Sequence, residues 1–185
     1  MFRIFGPPGT GKTTTLLNMV DKALESGVRP MDIAFLAFTK KAATEAKERA
    51  AARFGLDPKE DLANFRTLHS LALAMSDIRK DQVMQAENYR ELSKVTGVNL
   101  TGNKAADFEE DLPSVTSSSD PILGVINLAR LRKVPLRDQY NISNLDKDWN
   151  LVSYVDSCLK EYKHRFGLYD FTDMLAVFAN NGARY

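Results

Sequence analysis

The first 70 residues alternate between short apolar runs and longer helical patterns. Residues 2–5 are a short apolar run that ends at Gly6, and residues 33–38 are apolar on both faces; both are typical of buried parallel strands. Residues 13–26 predict a helix between them, ended by Gly27, with apolar positions at Leu16, Leu17, Val20 and Leu24. A strand, a crossover helix and a second strand within about 30 residues predict a right-handed βαβ unit.

A second helix and a third strand are predicted to follow. Thr39 can cap a helix that Gly55 and Pro58 end. Its small-residue face consists of Ala42, Ala43, Ala46 and Ala50. Residues 65–67 then predict a short strand, and residues 68–75 begin another helix.

From residue 77 to residue 167 the pattern is mainly helical. Helices are predicted at residues 84–95, 121–132 and 149–164. Residues 101–120 carry no clear period and predict a mobile surface loop. Residues 170–179 return to a helical pattern with one apolar face: Phe171, Met174, Leu175 and Phe178.

These patterns predict an α/β fold in three segments. Residues 1–76 form an α/β core, residues 77–167 form a helical insertion subdomain with its loop near 101–120, and residues 168–185 form a return helix of the core.

The composition is that of an ordinary folded protein. The chain has 185 residues, 44% of them hydrophobic and 26% charged, with a formal net charge of +1. This excludes collagen-like and fully disordered chains, and it excludes histone-like neutralisation of phosphates by the whole molecule. The apolar runs are too short for a membrane span, no secretory signal is visible, and Cys158 is the single cysteine. We therefore expect an intracellular, cytoplasmic protein without a membrane partner.

The run GPPGTGKT, residues 6–13, fits the phosphate-binding (Walker A) pattern G-x-x-x-x-G-K-[ST] between a predicted strand and a predicted helix. The glycines let consecutive backbone N–H groups point at phosphate oxygens, Lys12 neutralises phosphate charge, and Thr13 offers a hydroxyl to Mg²⁺. The alternative is a glycine-rich turn that only links a strand to a helix. The predicted nucleotide-binding residues are Gly6, Pro8, Gly9, Thr10, Gly11, Lys12, Thr13 and Thr14.

The second predicted strand ends in Phe38-Thr39-Lys40-Lys41, at the sheet edge where ligands bind in open α/β folds. An exposed aromatic ring beside lysines suits single-stranded nucleic acid. The alternative is a solvated helix face with Phe38 in the core, and composition alone favours that alternative.

Three other polar features have simpler interpretations. His69, after the third strand, could hydrogen-bond a phosphate or a sugar, but a lone histidine is more often a packed side chain. His164 and Cys158 lack the spacing of a zinc site. Asp170 and Asp173 match a helix N-cap and its third position, which favours capping over catalysis.

Taken in order, these segments resemble the N-terminal half of a UvrD/Rep-like superfamily 1 DNA helicase. Residues 6–13 are similar to motif I of that family, AFTKKAA at residues 37–43 to motif Ia, and FRTLHSL at residues 65–71 to motif Ib. YDFTDML at residues 169–175 resembles the helix that precedes the Walker B strand. The resemblance implies a P-loop NTPase (RecA-like) core with a helical insertion, truncated before the Walker B strand.

The resemblance also implies translocation along single-stranded DNA driven by ATP hydrolysis, usually from 3′ to 5′. Lys12 and Thr13 would be the catalytic residues, Thr13 the ligand of Mg²⁺, and the DNA path would be lined by Phe38, Thr39, Lys40, Lys41, Thr67 and His69.

The sequence departs from the family's pattern at both ends. It has no glutamine-bearing segment before motif I, no Walker B carboxylate pair after Leu175, and no second motor domain. We therefore expect a truncated helicase piece that hydrolyses ATP slowly or not at all and needs the missing C-terminal motor domain as a partner.

Two other functions are compatible with the phosphate loop alone. A P-loop kinase would need an arginine-rich lid over the phosphates, which Arg130, Arg132, Lys133 and Arg137 could imitate. A non-catalytic nucleotide sensor would need only the loop.

Overall fold

The computed structural model describes residues 3–5, 7, 9–102 and 120–180. The chain divides into two compact units, residues 1–68 and residues 69–185. The helices and strands are, in chain order, α1 (Lys12–Glu25), β1 (Phe35–Ala37), α2 (Lys40–Phe54), β2 (Phe65–Thr67), α3 (Leu68–Ala74), α4 (Ala86–Thr96), α5 (Pro121–Arg132), α6 (Leu136–Ile142), α7 (Trp149–Phe166) and α8 (Phe171–Asn180). Two short 3₁₀ turns lie at Pro30–Asp32 and Lys80–Gln82.

The sheet of the first unit consists of β1 and β2, which are parallel. Phe35 is in register with Phe65, and their rings stack with centroids 5.3 Å apart. Both rings belong to a core in which Leu17 and Val20 of α1 are buried. The described chain is therefore helix-rich with a small parallel sheet, and the predicted second and third strands are both present.

Helix α2 begins and ends as its sequence predicts. The Thr39 side chain accepts a hydrogen bond from the Ala42 N–H at 3.1 Å, and Gly55 ends the helix in the left-handed conformation with φ 66°. Ala46 and Ala50 are completely buried. Side chains this small let the α2 backbone approach the core closely. Ala43 is buried as well, whereas Ala42 of the predicted face is exposed.

The predicted strand at residues 2–5 is wrong for the part that the structure describes. Residues 3–5 have no regular secondary structure, and Phe5 is 85% exposed. Apolar side chains favour burial, but a strand also needs a neighbouring backbone with which to exchange hydrogen bonds. Among the described residues, β1 and β2 pair only with each other.

The second unit is helical around a core built mainly from α4, α5 and α7. Helix α5 starts at Pro121, as predicted, and buries Ile122, Leu123 and Ile126. Helix α7 adds Val152 and Val155 to the same core. The predicted helices at 84–95, 121–132 and 149–164 are all present, with boundaries shifted by up to two residues.

Helix α6 was not predicted. Its seven residues are mostly polar, so they show little helical periodicity. The helix follows Pro135, and its buried Gln139 accepts a hydrogen bond from Arg132 at 3.1 Å. Tertiary contacts rather than local pattern account for this helix.

The predicted loop near 101–120 lies outside the described residues except at its two ends. There the Thr101 N–H and hydroxyl donate to the Asp120 carboxylate at 2.9–3.0 Å. Asp120 is buried, and these bonds satisfy its oxygens. None of the helices in the described chain combines the length and apolar character that a membrane crossing requires.

Candidate nucleotide and nucleic-acid site

The candidate phosphate loop turns into α1 through two left-handed glycines. Gly9 has φ 81° and Gly11 has φ 79°, and α1 begins at the next residue, Lys12. A Cβ atom at either glycine would meet nothing within 4 Å, so backbone conformation rather than lack of space favours glycine there. Gly6 and Pro8, which the sequence also assigns to the loop, lie outside the described residues.

The N-terminus of α1 suits an anion. Gly11 occupies the N-cap position, and the structure shows no side-chain hydrogen bond capping this end of the described helix. The first turn contains Lys12, Thr13 and Thr14 and no acidic residue. The first N–H groups of a helix lack intrahelical partners, and its dipole favours negative charge there. A phosphate group can therefore satisfy these donors.

Two polar side chains of the loop meet at one backbone oxygen. The Lys12 ammonium donates to the Pro7 carbonyl at 2.7 Å, and the Thr10 hydroxyl donates to the same carbonyl at 2.8 Å. Lys12 is thus folded back on the loop that a phosphate would occupy. Because an ammonium group has three N–H donors, Lys12 can donate to a phosphate oxygen as well as to this carbonyl.

The candidate nucleic-acid residues of the first unit gather at the carboxyl edge of its sheet. Ala37 is in register with Thr67, so β1 and β2 end at the same level. Phe38 and Thr39 follow β1 directly and lead into α2. The ends of parallel strands meet at one edge, and the structure therefore brings Phe38, Thr39 and Thr67 to that edge.

Phe38 is 68% exposed, so the alternative interpretation that placed it in the core is wrong. Lys40 and Lys41 are exposed in the first turn of α2. Thr39 uses its oxygen to cap α2, and its hydroxyl proton is still available for donation. An exposed ring and two ammonium groups within four consecutive residues can stack on a base and pair with phosphates.

His69 belongs to the second unit, and its side chain is partly buried. Its ring packs edge-on against Phe171, with centroids 5.5 Å apart. Burial lowers the pKa of His69 below its ordinary value of 6.5. At neutral pH the ring is therefore uncharged, and it could offer a phosphate or sugar a hydrogen bond but no charge.

Asp170 and Asp173 cap α8, as the sequence predicts, and they also carry ion pairs that it did not predict. The Asp173 N–H donates to the Asp170 carboxylate at 2.8 Å, and the Asp170 N–H donates to Asp173 at 2.9 Å. Arg130 and Lys163 both pair with the two carboxylates. We call these four side chains the ion cluster. Burial opposes ionisation of Asp170, but Arg130 and Lys163 overcome it and lower the pKa of Asp170 to about 2.

Most of the cations that could imitate a kinase lid contact other side chains of the second unit. Arg130 belongs to the ion cluster, Arg132 bonds Gln139, and the Arg137 guanidinium lies 4.6 Å from the centre of the Trp149 ring. Lys133 is the left-handed residue that ends α5, with φ 55°. Three of these four cations therefore already contact other side chains, although Arg132, Lys133 and Arg137 remain exposed.

The sequence predicts Thr13, in the first turn of α1, as the protein ligand of a magnesium ion. The searched part of the chain, residues 3–5, 7, 9–102 and 120–180, contains no group of three acidic, histidine or cysteine side chains that could hold a metal. A hydroxyl at the start of α1 is a hard oxygen donor, which suits Mg²⁺ beside a phosphate.

Comparison with known proteins agrees with the resemblance seen in the sequence. A model of the UvrD/REP helicase N-terminal domain family matches residues 2–181. No curated protein and no solved structure matches the chain. The matched range includes the phosphate loop, the Phe38 edge and α8, and the family implies a P-loop NTPase fold and a helicase that uses ATP and acts on DNA. The chain belongs to the UvrD/REP helicase N-terminal domain family.

Proposed function

We propose that this chain is the first motor segment of an ATP-dependent DNA helicase. It binds Mg-ATP and single-stranded DNA, and in the full-length protein it couples hydrolysis to translocation from 3′ to 5′. One observation carries the proposal: Gly9, Gly11 and Lys12 lead directly into the N-terminus of α1. The structure shows no side-chain cap at this end of the described helix and no acidic residue in its first turn. Family membership extends this from nucleotide binding to helicase action.

In this proposal the nucleotide phosphates lie against the first N–H groups of α1. Lys12, whose ammonium lies at the Pro7 carbonyl in the structure, pairs with the β- and γ-phosphates, while Thr13 contributes its hydroxyl to Mg²⁺. Gly6, Pro8, Thr10 and Thr14 complete the loop. The chemistry that ATP supplies is release of the γ-phosphoryl group, and these residues bind and orient it.

Single-stranded DNA lies along the carboxyl edge of the sheet. The exposed Phe38 ring stacks on a base, Lys40 and Lys41 pair with phosphates, and Thr39, Thr67 and His69 offer hydrogen bonds. The β1 and β2 ends place Phe38, Thr39 and Thr67 at one level, which is the geometric support for a shared path.

The finer architecture is also proposed. We assign residues 1–76 and 168–185 to a RecA-like core and residues 77–167 to a helical insertion subdomain. The second motor domain of the helicase is the partner that completes the nucleotide site.

The nucleotide proposal is tested by calorimetric titration of a non-hydrolysable Mg-ATP analogue into the chain. Lys12→Ala removes the ammonium that faces the phosphates, and we expect at least about tenfold weaker binding because a charge-assisted hydrogen bond is lost. Lys22→Ala is the matched control, since Lys22 is an exposed lysine in the last turn of the same helix.

Equal affinities for Lys12→Ala and the unsubstituted chain would contradict the proposed phosphate site. Equal losses in Lys12→Ala and Lys22→Ala would also contradict it, because the effect would then be one of general charge.

A further inference from the structure

The two helices that carry the proposed sites are joined by one side chain. Arg53, in the last turn of α2, donates to the Asn18 side chain of α1 at 2.7 Å and to the Asp21 carboxylate of α1 at 2.7 Å. We call these three residues the α1–α2 bridge. Asn18 and Asp21 are three positions apart, so they lie on the same face of α1.

The bridge is more specific than an ordinary surface ion pair. Arg53 uses both terminal nitrogens of its guanidinium, one for a neutral oxygen and one for a charged oxygen. Its guanidinium also lies 5.2 Å from the centre of the Phe54 ring, which packs on the core of the first unit. A planar fork held at three points fixes its two acceptors in distance and direction.

The side chains around the bridge pack α1 and α2 against one shared core. Leu17 and Val20 of α1 share a core with Ala46 and Ala50 of α2. The partly buried Ala51 and Phe54 of α2 pack against the same core, so apolar contacts and the bridge together oppose sliding of one helix along the other. Arg53 is a polar link between α1 and α2 that any such sliding must break.

The nucleotide end of α1 lies on the same helix as the bridge. Lys12 donates to the Pro7 carbonyl in the structure, and the three N–H groups of its ammonium allow it to donate to a phosphate as well. A bound phosphate therefore adds a contact at the first residue of α1. Contacts that hold α1 and α2 in register transmit a displacement at that end to α2.

We infer that Arg53 is a positioning residue that couples nucleotide binding at α1 to single-stranded DNA binding at α2. It acts through Asn18 and Asp21 and touches neither ligand. The inference rests on the proposed function, since it needs both ligands to bind. It adds the residue through which one site changes the affinity of the other.

The test measures coupling rather than affinity. A non-hydrolysable Mg-ATP analogue is titrated into the full chain with and without saturating oligo-dT, and the ratio of the two Kd values is the coupling factor. We expect a factor of about 5 or more for the unsubstituted chain, and for Arg53→Ala a factor within about twofold of 1. Each single-ligand Kd of Arg53→Ala should stay near that of the unsubstituted chain.

Matched variants separate coupling from general damage. Arg49→Ala is the control, because Arg49 pairs with Glu45 inside α2 and does not reach α1. Asp21→Asn keeps an oxygen acceptor and most of the packing, and it should reduce the factor partly. In a double-mutant cycle, Arg53→Ala and Asp21→Asn should not add, because they remove one bridge.

An unchanged coupling factor in Arg53→Ala, or a factor of 1 in the unsubstituted chain that binds both ligands, would overturn the inference. A parallel loss of both affinities with an unchanged ratio would also overturn it, since that is the signature of a purely structural role. Failure of the unsubstituted chain to bind either ligand would overturn the proposed function, and the inference with it.

Discussion

At the scale of single residues, exposure separates the side chains that carry a surface role from those that pack. Phe38 and His69 follow two neighbouring strands in sequence, yet Phe38 is largely exposed while His69 packs against Phe171. The sequence predicted both as DNA-path residues from the family's motifs. Exposure favours a direct stacking role for Phe38, whereas burial restricts His69 to a neutral hydrogen bond.

The partly buried His69 predicts how stability changes with pH. Burial lowers the pKa of His69 in the folded chain below 6.5, so the unfolded chain binds the proton more readily. The free energy of unfolding should therefore fall as pH decreases from about 6.5 toward the lower folded pKa, and it should be insensitive to His69 above 6.5.

Urea unfolding between pH 7.5 and 5 measures this dependence. His69→Gln should flatten this part of the pH profile, whereas His164→Gln, on the exposed last turn of α7, should leave it unchanged. A profile that keeps its slope in His69→Gln would contradict the assignment.

At the scale of elements, charged side chains connect three helices of the second unit. The ion cluster links α5, α7 and the start of α8 through Arg130, Lys163, Asp170 and Asp173. Two positive and two negative groups balance, which lets a carboxylate such as Asp170 stay ionised while only 4% exposed. The capping role of the two aspartates was predictable from three-residue spacing, but their cationic partners were not, because Arg130 is 40 residues away.

Breaking the ion cluster should be costly. Arg130→Met keeps the apolar stem but leaves the buried Asp170 with one cation, and we expect a loss of about 3 kcal/mol in the free energy of unfolding. Because the pKa of Asp170 is lowered to about 2 from 3.8, the stability that its ionised form provides is present above pH 3.8 and is lost as pH falls from 3.8 to 2.

Chemical unfolding at pH 7 and at pH 3 measures both effects. The matched control is Arg79→Met, because Arg79 pairs with Asp81 on the surface and its replacement should change stability far less than Arg130→Met does. Equal, small effects of Arg130→Met and Arg79→Met would contradict a structural role for the ion cluster.

At the scale of the whole molecule, the net charge of +1 means that nucleic acid must be attracted by a local group of cations. Replacing Lys40 and Lys41 together with alanine should weaken binding of oligo-dT and lower the slope of log K against log salt concentration by about 1.4, or about 0.7 for each phosphate contact. Fluorescence anisotropy at several salt concentrations provides the slope.

The control for this pair is Lys59→Ala with Lys147→Ala, which removes the same charge from exposed positions outside the proposed path. If both double variants reduced the slope equally, the attraction would come from overall charge, and the assignment of a DNA path to the start of α2 would be wrong.

The sequence alone determined the features that depend on neighbouring residues. Helices α1, α2, α5 and α7 could be placed because their periodicity, caps and stop signals lie within one helix length. The candidate phosphate loop could be predicted because Gly6, Gly11, Lys12 and Thr13 stand at the fixed positions of its pattern. Family membership followed from motifs in a fixed order, and the family model agrees.

The tertiary structure decided what depends on distant partners. Residues 3–5 form no strand, since a strand needs a neighbouring backbone with which to pair. Helix α6 is short and mostly polar, and it packs Leu136 and Tyr140 against the core of the second unit. Three further features also follow from folding, because they depend on residues that are far apart in the sequence or on what packs around a side chain. They are the exposure of Phe38, the partners of Asp170 and the Arg53 link between α1 and α2. Local chemistry is encoded in short patterns, whereas pairing and burial are properties of the packed chain.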